Sequence, residues 1–154
     1  MYSNELVIDV LNYLDDNINK KVSMDELSKI FYFNKDYLMR IFKKELNITI
    51  VDYINKRRIF NSLEQLKRSD DLIIKVALDN GFYSQEYYSE IFAKIIGVGP
   101  LTYRKFTWVD SKITQEELDT IRKNLIDINS TLVKIDKYKL NIPTLEVKKL
   151  SFPK

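Results

Sequence analysis

NKDYLMRIFKK (residues 34–44) and SQEYYSEIFAK (residues 84–94) are the two stretches that decide the fold. Each opens on a short polar residue, Asn34 or Ser84, of the kind that accepts a backbone N–H at a helix start. Each then sets apolar residues at helical spacing: Leu38, Ile41 and Phe42 in the first, Tyr88, Ile91, Phe92 and Ile95 in the second. Tyr37-Leu38 before Ile41-Phe42-Lys43 has the same spacing as Tyr87-Tyr88 before Ile91-Phe92-Ala93. One such helix arises readily by chance; a duplicated one far less so.

The flanking sequence repeats too. Upstream, Ser23-Met24-Asp25-Glu26 fits a capping box, with Ser23 as N-cap and Glu26 reaching back. Leu27 and Ile30 give that helix an apolar side, and it ends near Phe31. The turn Tyr32-Phe33-Asn34 leads into a helix over Lys35–Leu46. Two short helices joined by a few residues, the second basic, form the helix-turn-helix pattern. A first helix is expected from Asn4 to Ile18, with Leu6, Val7, Val10, Leu11 and Leu14 inward. A long helix over Ile50–Lys67 carries Val51, Ile54, Ile59, Leu63 and Leu66, with small Ser62 marking a close approach by another helix.

After the break at Ser69-Asp70-Asp71 the pair recurs. Asp71 is expected to cap a helix over Leu72–Asn80, with Ile73, Val76 and Ala77 inward, and Gly81 to end it at positive φ. Phe82 anchors the core, and Ser84 caps a helix over Gln85–Ile96. Gly97-Val98-Gly99-Pro100 is a turn, and Pro100 suits the first position of a last short helix, Leu101–Lys105. The helix-turn-helix units thus span about 24–46 and 72–96.

Composition agrees and excludes much. The chain has 154 residues, 45% hydrophobic, with three glycines and three prolines, which favours an all-α fold. It has no cysteine and no histidine, which removes thiolate zinc sites, thiol nucleophiles and the commonest general base and metal ligand. No enzyme activity, metal or cofactor is expected. The start, Met-Tyr-Ser-Asn-Glu, lacks the pattern of a signal peptide, and no apolar run reaches the ~18 residues of a membrane span, so a cytoplasmic protein without membrane contact is expected. The net charge of +3 is unevenly spread. Residues 34–58 hold Lys35, Arg40, Lys43, Lys44, Lys56, Arg57 and Arg58 against Asp36, Glu45 and Asp52, whereas acids outnumber bases over residues 70–94.

These residues closely resemble the DNA-binding domain of the AraC/XylS family of transcriptional regulators. The first unit contributes Ser23 to Ser28 and Tyr37 to Glu45; the long helix contributes Tyr53-Ile54 and Arg58. The second unit contributes Ile73 to Ala77, Gly81-Phe82, Ser84-Gln85, Phe92 and Gly97, closing on Pro100 and Tyr103-Arg104. The resemblance covers about Asn4 to Phe106. It implies two homeodomain-like helix-turn-helix subdomains joined by a long linker helix, with recognition helices entering successive major grooves ~34 Å apart. It also implies double-stranded DNA and RNA polymerase as partners.

Solvent-facing positions early in a recognition helix reach base edges, here Lys35, Asp36, Met39 and Arg40. Arg40 is the leading candidate, because arginine pairs with guanine O6 and N7 through two bonds. Lys43 and Lys44 suit phosphates, which set register and not sequence. Asp36 is read as a helix-capping carboxylate before a cytosine contact, and Tyr37 as packing before a groove contact. In the second unit Ser84, Gln85, Glu86 and Glu90 occupy the equivalent face, and Arg104 is read as partly structural with a phosphate in reach. Glu90 stands where related proteins often carry a base. The first unit is therefore expected to supply most of the affinity. The competing reading is a helical protein-interaction module with degenerate DNA binding.

Beyond Phe106 three segments are expected: the DNA-binding domain over 1–106, a linker helix over 107–143, and a tail over 144–154. Thr114-Gln115-Glu116-Glu117 is a further capping box. Leu118, Ile121, Leu125, Ile128, Leu132 and Ile135 then recur in a heptad seam. The seam either pairs two chains as a homodimer or lies on the chain's own DNA-binding domain. Pro143 is expected to end the helix, and Thr144 to Lys148 alternate like a strand start. That placement resembles the opening of the effector-binding domain of some members, so the tail reads as the start of a truncated effector domain.

Overall fold

A computed structural model describes residues 3–106 and 113–151, with side chains as far as Leu140. Among the described residues it is all helical: α1 (Ser3–Asp16), α2 (Met24–Phe31), α3 (Lys35–Leu46), α4 (Ile50–Arg68), α5 (Ile73–Asp79), α6 (Gln85–Ile96), α7 (Pro100–Phe106) and α8 (Gln115–Ser151). No described helix is long and apolar enough to cross a membrane. The chain divides into two compact units: Met1–Asn17, Val22–Tyr53 and Thr131–Lys154 in one, Ile18–Lys21 and Ile54–Ser130 in the other.

In the first unit α3 packs on α1 and α2. Leu6, Leu11 and Leu14 of α1, Leu27 of α2, Leu38 and Phe42 of α3, and Tyr53 are all buried. Each buried leucine or phenylalanine contributes roughly 1.5–3 kcal/mol over an exposed one. The helix starts follow the sequence. Ser23 Oγ accepts the Glu26 N–H at 3.1 Å, and Asn34 Oδ1 accepts the Asp36 N–H at 2.7 Å. Burial first, and then the Glu26 carboxylate, raise the pKa of the Tyr13 phenol.

In the second unit α6 packs on α5 and α7. Its core gathers Ile59, Leu66, Ile73, Val76, Phe82, Tyr88, Phe92, Ile96 and Tyr103. Ser62 marks the close approach expected of it: it is fully buried, and its Oγ accepts the Tyr88 hydroxyl at 2.8 Å. Gly81 adopts φ +89°. A Cβ there would lie 2.5 Å from the Ile18 carbonyl oxygen and 2.7 Å from Arg58 Nε, so close approach as well as positive φ demands glycine.

Two expectations are corrected. Asp71 does not cap α5; the helix starts one residue later, so the cap falls on Leu72, which offers no side-chain acceptor. Asp71 instead accepts from Gln65 Nε2 at 3.0 Å. The strand start at Thr144–Lys148 is helical, because α8 continues through Pro143 to Ser151. A lone strand has no ladder to join, whereas a helix satisfies its own backbone, here with one internal bond forgone at Pro143. The heptad seam, for which two partners were open, faces the chain itself. Ile121 and Leu125 pack on the second unit's core, and Ile128, Leu132 and Ile135 are buried within single-chain packing. The remainder of the linker expectation, residues 107–112, lies outside the described residues. The capping box that starts α8 forms in both directions: Thr114 Oγ1 accepts the Glu117 N–H at 3.1 Å, and the Thr114 N–H reaches Glu117 Oε1 at 3.5 Å.

Candidate nucleic-acid interface

The first candidate reading surface is the outward face of α3. With Leu38, Ile41 and Phe42 buried, helical geometry turns Lys35, Asp36, Met39, Arg40, Lys43 and Lys44 outward, and all six are exposed. Met39 is 43% exposed and adjoins Arg40. Arg40 is braced from below. Tyr37 stacks on Phe33 at 5.3 Å with the rings 24° apart, and the Arg40 guanidinium carbon lies 5.5 Å from the Tyr37 centroid. Such a cation–π contact is worth roughly 0.5–1 kcal/mol at an exposed site. It restricts the guanidinium's swing while leaving its donors free to face outward. Tyr37 is half-buried.

Lys35 Nζ sits 3.4 Å from Asp25 Oδ1, with both side chains more than half exposed. Such a surface pair contributes little, so a phosphate can displace the aspartate. Asp36 takes part in capping through its N–H, which Asn34 receives, and its carboxylate sits in the first turn, where the helix dipole favours negative charge. Lys43 and Lys44 lie in the last turn. There they complement the dipole as well as offering charge to a phosphate.

The second surface is built on the same plan with different chemistry. Ser84 Oγ accepts the Tyr87 N–H at 3.1 Å, and Tyr83 stacks on Tyr87 at 5.6 Å with the rings 14° apart. The ring pair thus repeats Phe33 on Tyr37. Gln85, Glu86 and Glu90 are exposed, and Ser84 is half-buried with its oxygen committed to the cap. In the alignment Glu90 occupies the position of Arg40, and Ala93 that of Lys43. Lys94, in the last turn, is the basic residue of this helix. Glu86 aligns with Asp36 and keeps its charge; the two surfaces differ in charge at Glu90, which stands in place of Arg40, and at Ala93, which stands in place of Lys43.

Arg104 is placed for structure. Half-buried, it donates from Nε to the Leu66 carbonyl oxygen at 3.0 Å, closing the C-terminal turn of α4. Arg58, counted in the basic stretch, is likewise committed: Nε donates to the Ile18 carbonyl and an Nη to the Lys20 carbonyl, each at 2.7 Å. Burial lowers its pKa. Sequence reasoning passed over two exposed aromatics in the turns. Tyr32, 92% exposed with left-handed φ of 59°, and Tyr83, 80% exposed, each precede a recognition helix. A tyrosine left in solvent at a turn was the available signal. Among the described residues no group of carboxylates is arranged to hold a metal.

Residues 27–105 match the helix-turn-helix domain family. The chain is 31% identical over 106 residues to the uncharacterized HTH-type transcriptional regulator YbfP of Bacillus subtilis, covering 69% of this chain and 36% of that protein. The chain thus spans about a third of that relative's length. It is 28% identical over 104 residues to the regulatory protein SoxS of Escherichia coli K12, covering 68% of this chain and 97% of SoxS. To the multiple antibiotic resistance protein MarA of Salmonella typhimurium it is 30% identical over 95 residues, 62% of this chain and 75% of MarA. Among solved structures, a Listeria innocua protein of unknown function superposes at TM-score 0.61 with 30% identity, covering 64% of this chain and 93% of that one. The DNA-binding domain of AdpA, solved in complex with a target DNA, shares the fold at TM-score 0.59 and 19% identity, covering 64% and 88% of the two chains.

Proposed function

The chain belongs to the AraC-type helix-turn-helix family, and we propose that it is a sequence-specific DNA-binding transcriptional regulator whose α3 supplies most of the affinity. The observation that carries this reading is the outward row of Met39, Arg40, Lys43 and Lys44 on a capped helix, with Arg40 braced on Tyr37. Arg40 reads guanine, Met39 offers an apolar contact beside it, and Lys43 and Lys44 hold phosphates. In the second unit Gln85 is suited to adenine and Glu86 to the amino group of cytosine, while Glu90 weakens the general attraction to DNA. Each unit contributes one recognition helix, so one chain addresses a site with two unlike halves. The buried seam residues Ile121, Ile128, Leu132 and Ile135 support binding as a monomer in place of a seam-mediated dimer. The further partner of such a regulator is RNA polymerase at the promoter.

Selection from random duplexes, followed by titration across salt, tests the proposal. A single enriched motif bound with steeply salt-dependent affinity supports it. The competing reading, an interaction module without DNA binding, draws support from Glu86 and Glu90. It predicts no enriched motif and a flat salt response.

A further inference from the structure

The last carbonyls of a helix lack partners within it and must be satisfied from outside or by water. At the C-terminal end of α6 the outside partner comes from α8, beyond the segment that matches the family. Asn124 donates from Nδ2 to the Ile96 carbonyl oxygen at 2.8 Å. The next residue, Gly97, turns the chain at φ +104° and sends its N–H to the Ala93 carbonyl at 2.9 Å. A Cβ on Gly97 would lie 2.8 Å from Thr120 Cγ2 and 3.0 Å from Asn124 Nδ2, so α8 is seated directly on the end of the helix. One turn before, Ile121 is fully buried in the same core as Ile96 and Phe92, and Leu125 packs beside it.

We propose that Asn124 is a positioning residue for the second recognition helix, so that α8 fixes how Gln85 and Glu86 meet DNA. This rests on the reading of α6 as a DNA-facing helix. The helix is pinned at both ends: by Ser84 at its start and by Asn124 at its finish. The amide is suited to this task because it donates without adding charge beside the negative end of the helix dipole. An aspartate would place a carboxylate against the Ile96 carbonyl, removing the donor and repelling the dipole. Such a change reaches the bases only through the pose of α6.

Hydroxyl-radical footprinting of the full chain on its selected duplex reads each half of the site separately. Asn124→Asp and Asn124→Ala should weaken protection at the α6 half by about fivefold, the order expected for one lost hydrogen bond, with the α3 half unchanged. Asn124→Gln, which keeps the donor, should recover part of the loss. Circular dichroism of each variant reports folding, and Asn124→Ser is the second variant if Asn124→Asp fails to fold. Equal loss at both halves, or no loss at either, overturns the proposal. So does a wild-type footprint confined to the α3 half, which leaves the reading of α3 intact. Absence of any wild-type footprint sinks the parent reading instead.

Discussion

Tyr88 donates its hydroxyl hydrogen to Ser62 Oγ across 2.8 Å inside the core of the second unit, and Ser62 Oγ in turn donates to the Ile59 carbonyl at 2.7 Å. The pair ties α4 to α6 within the second unit, and both hydroxyls have partners. Burial raises the Tyr88 pKa and keeps the phenol protonated, so it remains a donor. Ser62→Ala leaves that donor stranded and should cost about 1–3 kcal/mol in urea unfolding. With Tyr88→Phe already in place, Ser62→Ala should cost less, because the stranded donor is gone. Strictly additive costs in the double-mutant cycle contradict this account of the pair.

Gly81→Ala should destabilise the chain by about 2 kcal/mol or more. The residue sits at φ +89°, and the added methyl meets the Ile18 carbonyl and the Arg58 side chain that the turn is built around. Comparison with Gly99→Ala, where an added Cβ meets nothing within 4 Å, gives the control. Equal denaturation midpoints for the two variants count against the stated role of Gly81.

Tyr138→Phe should be tolerated at neutral pH, because among the described residues the buried Tyr138 hydroxyl has no hydrogen-bond partner. Burial first, then the Glu45 carboxylate, push this phenol up to about 12. Between the ordinary phenol value of ~10 and about 12, the unfolded chain loses the proton while the folded chain keeps it. Stability from this group is therefore complete below the lower value and declines as pH rises towards the upper. Unfolding at pH ~9 and ~11 should show a smaller alkaline loss in Tyr138→Phe than in the parent. The same loss in both refutes the assignment.

Much of this was legible because local rules govern it. Ser23, Asn34, Ser84 and Thr114 cap the helices they announce, and Gly81 and Pro100 fall where the turn and the last short helix need them. The duplicated Phe42 and Phe92 are buried. What escaped depends on residues distant in sequence. Nothing near Arg58 says that it will clamp the Ile18 and Lys20 carbonyls, and nothing near Asn124 points to Ile96. Asp71 was misread because one residue of shift at a helix start hands the cap to a neighbour. The alternation at Thr144–Lys148 suggested a strand, but alternation alone supplies no strand to pair with. The seam's periodicity was correct and its partner open, since one apolar stripe fits a second chain or the same chain equally well.

Lys43→Ala should weaken binding evenly across sequences and lower the slope of log affinity against log salt by about one, as for a lost phosphate contact. Arg40→Ala should instead relax preference at one base pair. A Lys43→Ala variant that changes the selected motif at a single position reverses the assigned roles.

The central claim is that the two units are unequal, and paired affinity measurements on Arg40→Ala and Gln85→Ala test it most directly. On the selected duplex at fixed salt, Arg40→Ala should lose roughly 5- to 150-fold, the range of a lost bidentate base contact, and Gln85→Ala several-fold less. A larger loss from Gln85→Ala would contradict the account and move the main reading surface from α3 to α6.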